Sequence, residues 1–266
     1  MVNPLFQVPG IVSGRALGLI FVVVLAILVY YYMSSGKKIY IRRVPGLDAI
    51  EEAIGRSAEM GKPVVCSFGI AGGGFDYWTM AGLAILSHVA TLTARTGTRL
   101  IVPTGGSDAS LIVRPVAEEI VRTAYLLEGK VEAFDSNDLP FMSGQQYAYT
   151  GGYIGILQRT RPASVIMTGS HASEAMNIAE TSNAIGAITI TSGSYISNVA
   201  ALACASDYIL IGEEAPAAGA YLSKEPPLRA SIRAQDIYKA VSLILIIGGL
   251  ILMTAGSDIV VRLLVS

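Results

Sequence analysis

The sequence predicts an α/β protein: a doubly wound, mainly parallel sheet flanked by an N-terminal and a C-terminal transmembrane helix. Three observations predict it. Residues 16–33, ALGLIFVVVLAILVYYYM, carry no charge and are long enough to cross a hydrocarbon core of about 30 Å at about 1.5 Å per residue. A second apolar run, AVSLILIIGGLILMTAG, follows Lys239. Between them, short β-branched runs alternate with longer helix-like ones, as buried parallel strands alternate with their crossover helices.

In chain order, residues 1–15 read as a tail and 16–33 as the first span. That apolar run is too long for a cleaved signal peptide, and no A-x-A site follows it. Tyr30, Tyr31 and Tyr32 sit where an aromatic belt belongs, and Lys37, Lys38, Arg42 and Arg43 come next. Only Arg15 precedes the run, so the basic side is cytoplasmic and the N-terminus lies outside.

The α/β domain is expected over 44–214. Its strands are expected at 63–70, 99–105, 131–135, 164–170, 187–193 and 207–214, and its helices at 48–60, 76–96, 109–128, 146–160, 172–185 and 197–205. The helix at 76–96 reads as buried core rather than a third span, because Ser87, His88 and Thr91 interrupt its apolar run. His88 there reads as a hydrogen-bonded core residue. Residues 215–236 read as a linker, since Pro216, Pro226 and Pro227 interrupt helices.

The second span is expected at 240–260. Arg229, Arg233 and Lys239 precede it, which again places the middle of the chain in the cytoplasm. The topology is then a cell-membrane protein with two spans, both termini outside and the central domain cytoplasmic. Asp258 and Arg262 are four apart on one helix face and can pair, at the far interface or deeper in the lipid. Gly248 and Gly249 permit close helix approach without forming a GxxxG motif.

Composition narrows the partners. A net charge of -1 gives no electrostatic basis for binding nucleic acid. Cys66 and Cys204 belong to no CxxC or Cys/His cluster, so no zinc or iron–sulfur site is indicated, both read as small core residues, and no spacing among Asp135, Asp138, Glu213 and Glu214 supports a metal site. No cofactor motif is present: AGGGFD lacks GxGxxG spacing, and no Lys follows the glycines of TGGSDAS as in a Walker motif. The expected partners are the lipid bilayer, a small anionic ligand, and further copies of the chain or another membrane-complex subunit.

Ligands of open α/β sheets bind at the carboxyl ends of strands, where helix N-termini offer free N–H groups. Every such end here is polar or glycine-rich. In TGGSDAS, Gly105 and Gly106 allow close backbone approach, while Ser107 and Ser110 offer hydroxyls. TGSHASEA repeats the design with Ser170, His171 and Ser173, and SGSYISN adds Ser194. These turns suit a phosphate or carboxylate, and equally suit ordinary helix capping, worth about 1 kcal/mol each. His171 and Glu174, three residues apart, form a proton-transfer pair, with the alternative of a surface histidine at a helix start. Asp135 is an acid at another expected strand end and a further candidate general base.

PTGGSDAS, the run TGSHASEAMNIAETSNAIGAITITS and the ending NVAALACASDYILIGEE follow one order of strands, turns and helices. In that order residues 99–214 resemble a sugar isomerase (SIS) domain. The resemblance implies a flavodoxin-like parallel sheet and a phosphosugar ligand. Where that family has a Ser-Gly-x-Thr core, this chain has Ser170-His171-Ala172-Ser173, so the hydroxyls of Ser170 and Ser173 carry over. The whole chain is also similar to membrane-anchored prokaryotic proteins grouped as a domain of unknown function, which implies the topology and no activity.

The expected function is a membrane-anchored cytosolic domain that binds a sugar phosphate or nucleotide-like anion. Any catalysis would be isomerase or transferase chemistry with His171 or a strand-end acid as base. The alternative is a non-catalytic assembly protein. A crevice lined by Ser107, Ser170, His171 and Asp135 would favour binding. Dispersed, mutually bonded side chains would favour the scaffold.

Overall fold

The computed structural model describes residues 15–34, 39–70, 74–223 and 226–256. In chain order its elements are α1 Arg15–Ser34, α2 Pro45–Glu59, β1 Val64–Gly69, α3 Tyr77–Thr96, β2 Leu100–Ile101, α4 Ser110–Leu127, α5 Gln146–Thr160, β3 Ser164–Ser170, α6 Glu174–Ala184, β4 Ile188–Gly193, α7 Ile196–Ala205, β5 Tyr208–Ile211, α8 Glu214–Ser223 and α9 Pro226–Thr254. Contacts divide the chain into two units, one of Met1–Tyr40 with Lys224–Ser266 and one of Ile41–Ser223.

The second unit is the α/β domain. Its five strands are all parallel, in the order β2-β1-β3-β4-β5. The chain leaves β1 for β2 on one side and returns to β3 on the other, so the topological switch point lies between β1 and β3. Side-chain alternation divides the core in two. Val64, Cys66, Phe68 and Ile166 face α2, α3, α4 and α8, whereas Val65, Val165 and Met167 face α5, α6 and α7. Helices on both faces make the sheet doubly wound, and β1 and β3 are buried along their whole length. Helix α2 shows how the pattern is built: Leu47, Ile50, Ile54 and Ser57 recur at helical spacing and are buried.

Three expectations are corrected. Residues 131–135 are not a strand: Val131–Ala133 forms a single 3-10 turn with no buried residue, followed by another at Ser136–Asp138. Only Phe134 of the segment packs inward, against Tyr125, and the exposed Val131 has no pleated surface to pack on. The strand expected at 99–105 is regular only at Leu100–Ile101. Beyond it the chain pairs irregularly with 138–143, through Val102 N to Asp138 O at 2.7 Å and Met142 N to Thr104 O at 2.9 Å. The described part of residues 215–236 is helical where proline was expected to break helices: Glu214–Ser223 and Pro226–Thr254 are helices, and the two units divide between them. Pro216 lies in the first turn of α8, and Pro226 and Pro227 begin α9, where the missing N–H would have no intrahelical partner anyway.

Two single-residue expectations also change. Cys204 is exposed, because α7 buries only Leu202 and Cys204 points away from it; Cys66 is buried, and burial pushes its thiol up to about 12. His88 is only partly buried: its Nε2 lies 3.5 Å from Glu51 Oε1 without a hydrogen bond. Burial lowers its pKa from the ordinary imidazole value, against the opposing pull of Glu51.

In the other unit, α1 packs against α9. Among the described residues one helix, Pro226–Thr254, is long and apolar enough to cross a membrane, and Val22–Ser34 adds a shorter apolar stretch. Gly249 is buried, while Gly248 has open space around it. Lys37, Lys38, Asp258 and Arg262 lie outside the described residues.

A hydroxyl pair fastens α2 to the sheet. Ser57 Oγ donates to Ala53 O at 2.8 Å, so Ser164 Oγ is the donor in its 2.8 Å bond to Ser57 Oγ. Both residues are fully buried. Ser57→Ala should destabilise the domain by about 1–3 kcal/mol, because it orphans the Ser164 hydroxyl. The double variant Ser57→Ala/Ser164→Ala should recover most of that loss in a denaturant titration. A double variant less stable than the single would show that the pair does not act as one unit.

Candidate functional site

At the carboxyl end of the sheet, β1 and β3 meet through two kinks. Gly69 and Gly169 have φ of 100° and 103°, conformations that side-chain-bearing residues rarely adopt. A Cβ on Gly69 would collide with Ser170 O, and one on Gly169 with Phe68 O. The pairing register shifts at this point, and Ile70 N donates to Ser170 O at 2.8 Å. Serine hydroxyls take up the freed peptide groups: Gly69 N donates to Ser67 Oγ of its own strand at 3.2 Å and Gly169 N to Ser192 Oγ of the neighbouring strand β4 at 3.0 Å.

Under the kinks lies a buried polar cluster. Ser67 Oγ and Tyr149 OH are 3.0 Å apart, and Tyr149 stacks edge-on against Tyr153 with centroids 5.8 Å apart. Burial pushes the Tyr149 phenol above its ordinary pKa. The chain continues from β3 into His171, whose N–H donates to Gly169 O at 3.1 Å. His171 is 2% exposed and neither ring nitrogen has a hydrogen-bond partner. Its Nδ1 stands 3.5 Å from Glu174 Oε1, within ion-pair range when the ring is protonated. Glu174 is well held: Oε1 accepts from Ala172 N at 2.8 Å and Oε2 from Gln146 Nε2 at 2.5 Å. Burial pushes this carboxyl up, but His171 and the backbone N–H groups outweigh it and hold it below its ordinary value.

Three of the candidate hydroxyls donate to backbone carbonyls. Ser107 Oγ donates to Ile70 O at 2.9 Å, Ser110 Oγ to Ser107 O at 2.5 Å and Ser194 Oγ to His171 O at 2.8 Å. Ser173, at the N-cap position of α6, makes no capping bond; its Oγ accepts from Gln146 Nε2 at 3.3 Å. The hydroxyls therefore tie neighbouring turns together. Gly105 and Gly106 make room for protein: a Cβ on Gly105 would meet Ser143 O and Tyr149, and one on Gly106 would meet Ile70.

The structure brings Ser173, His171, Glu174 and Ser194 together and seats Ser170 beside them at the end of β3. Gly105 reaches the same cluster through Tyr149. Asp135 is not part of it. Its Oδ1 accepts from Asn137 N at 2.9 Å, in the segment next to the Arg99–Asp138 ion pair that precedes β2, at the amino end of the sheet. The false strand at 131–135 had placed it at the wrong end. Ser67, Gln146, Tyr149 and Ser192 join the cluster from three different elements, β1, α5 and β4. No local motif marks them, and only the pairing of two buried tyrosines at i and i+4 hints at a packed polar site.

A cavity of about 540 Å³ opens at the amino ends of the strands, lined by Lys62, Arg99 and Arg159 among others. The C-termini of α2, α3 and α5 converge there, so its cations face carbonyl-rich helix ends, which they complement.

The model of the family described as Domain of unknown function (DUF6754) matches residues 10–264, and the chain belongs to that family. No curated protein and no solved structure matches it.

Proposed function

We propose that this chain is anchored by two spans, α1 and α9, with both termini outside and the α/β unit in the cytoplasm, and that the unit holds a small anion of the sugar-phosphate or nucleotide kind at the switch point between β1 and β3. The observation that carries this is His171: a buried imidazole with two unbonded nitrogens, at the strand end where open sheets of this order take their ligands. Ser170 and Ser173 flank it, and α6 starts there, so N–H dipoles favour an anion. His171 beside the ionised Glu174 is the group best placed to move a proton, should the ligand be transformed.

A second reading, a non-catalytic assembly protein, is favoured by the internal bonds of Ser107, Ser110 and Ser194, and by the separation of Asp135. Thermal melting of the full chain in detergent decides between them. With sugar phosphates, nucleotides and inorganic phosphate supplied in turn, a ligand at a hundred times its dissociation constant should stabilise by about 2.7 kcal/mol. His171→Asn should abolish the shift. A folded chain that shifts with no member of the panel would remove the binding reading.

A further inference from the structure

Helix α4 is apolar on both sides. Its inner face, Val113, Ala117, Val121 and Ala124, packs into the core at helical spacing. Its outer face is apolar at both ends. Leu111 and Ile112 are 55% and 67% exposed at one end, and Leu126 and Leu127 are 59% and 80% exposed at the other. Between them stand two exposed charges, Glu119 and Arg122. At 3.6 residues per turn all six fall on the half of the helix turned away from the core, along a surface about 24 Å long. Glu119 and Arg122 are close enough in sequence to pair within the helix. Among the described residues neither takes part in an ion pair. Glu119 Oε1 accepts from Thr123 Oγ1 at 3.3 Å. Beside this face a groove of about 480 Å³ separates Ser87 and Thr91 of α3 from Val116 and Ile120 of α4.

We infer that the outer face of α4 is the interface with a second copy of the chain, the two α4 helices lying antiparallel across a twofold axis. Large exposed apolar side chains gathered on one element mark an interaction surface. A closed dimer uses one patch twice, so the patch must complement itself. Read backwards, the order apolar, Glu, Arg, apolar becomes apolar, Arg, Glu, apolar. Antiparallel helices therefore set Glu119 of each copy opposite Arg122 of the other, and each apolar end against the other apolar end. A parallel pair would set like charges side by side. An anionic lipid surface would meet a carboxylate in the middle of the face, and a foreign partner would not require the self-complementary order. The apolar ends supply the contact area, the charges fix its register and direction, and the groove beside α4 leaves room for the partner's leucines.

The test uses the full chain in detergent, with mass measured by light scattering across a concentration series. The wild-type chain should be dimeric at micromolar concentration. Glu119→Arg should raise the dimer dissociation constant on the order of a hundredfold, because it sets arginines against each other at two symmetry-related places. Arg122→Glu should do the same with carboxylates. Glu119→Arg/Arg122→Glu should return the dissociation constant to near the wild-type value, since it reverses both members of each pair. Melting temperatures read below the dissociation constant should match wild type for all three variants, because both side chains are exposed. A wild-type chain that stays monomeric at micromolar concentration would overturn the inference. So would a Glu119→Arg chain that dimerises as tightly as wild type, or a double variant no tighter than either single one, because the charges would then not face each other across the contact.

Discussion

Gly169→Ala is expected to unfold the α/β domain. At φ 103° a side chain is strained, at about 1–2 kcal/mol by the sterics of left-handed backbone. The larger effect is the collision. The added methyl would overlap Phe68 O and stand 3.2 Å from Trp78 O, both of them backbone atoms. Phe68 lies in the fully buried strand β1, between β2 and β3, and has no room to withdraw. Helix α3 cannot withdraw either: it already approaches so closely that a Cβ on Gly82 would lie 2.8 Å from Thr168 O. The combined penalty should exceed about 4 kcal/mol, a large share of the 5–15 kcal/mol that stabilises a typical domain. Gly186→Ala is the control. It has φ 76° with nothing within 4 Å of the added carbon, so it should lose only about 1 kcal/mol. Circular dichroism melts of the full chains separate the two. Similar melting temperatures for both variants would mean that the β1–β3 junction has slack the structure does not suggest.

That junction also shows where sequence reasoning succeeds and where it stops. The helices were legible because their apolar residues recur at helical spacing over ten or more positions: 146–160 and 76–96 were expected and Gln146–Thr160 and Tyr77–Thr96 are found. Buried strands were legible where a short apolar run with β-branched residues is bounded by turn residues, as in 164–170. The same signal misled at 131–135, because composition alone cannot report that a segment lies on the surface with only Phe134 packed inward. The prolines at 216, 226 and 227 misled in the opposite way, since proline both ends one helix and begins another and its local sequence is the same. Gly69 and Gly169 were visible as glycines at strand ends. That they press against one another, a hundred residues apart, is a property of the sheet order. The candidate site divides along the same line. His171, Glu174, Ser170 and Ser173 lie in one turn and were found. Gln146, Tyr149, Ser67 and Ser192 complete it from other elements and were not. What the serines do could not be read locally either, because a hydroxyl that caps, binds or ties two turns together looks the same in sequence.

Glu174 should carry the second large effect, and it ties the site to acid stability. Its two oxygens accept from Ala172 N and Gln146 Nε2, and it is 2% exposed. Glu174→Gln keeps the shape but leaves one amide nitrogen facing a donor, so one of the two bonds is lost and a buried donor is orphaned. The expected destabilisation is about 1–3 kcal/mol at neutral pH, and Glu174→Ala, which orphans both donors, should be worse. The pH dependence gives a sharper signature. The folded carboxyl sits below its ordinary value of 4.5, so between the folded and unfolded values the unfolded chain binds more protons. The stability this group contributes is therefore fully present above about pH 4.5 and is lost as pH falls through the folded value. Wild-type protein should lose stability steeply below about pH 4.5. Glu174→Gln should start lower at pH 7 and fall less over the same acid range, so the two curves converge. Denaturant titrations from pH 7 to pH 3 make the comparison. Parallel curves would show that the carboxylate is not held in its charged form by the fold, and would remove the electrostatic basis for pairing it with His171.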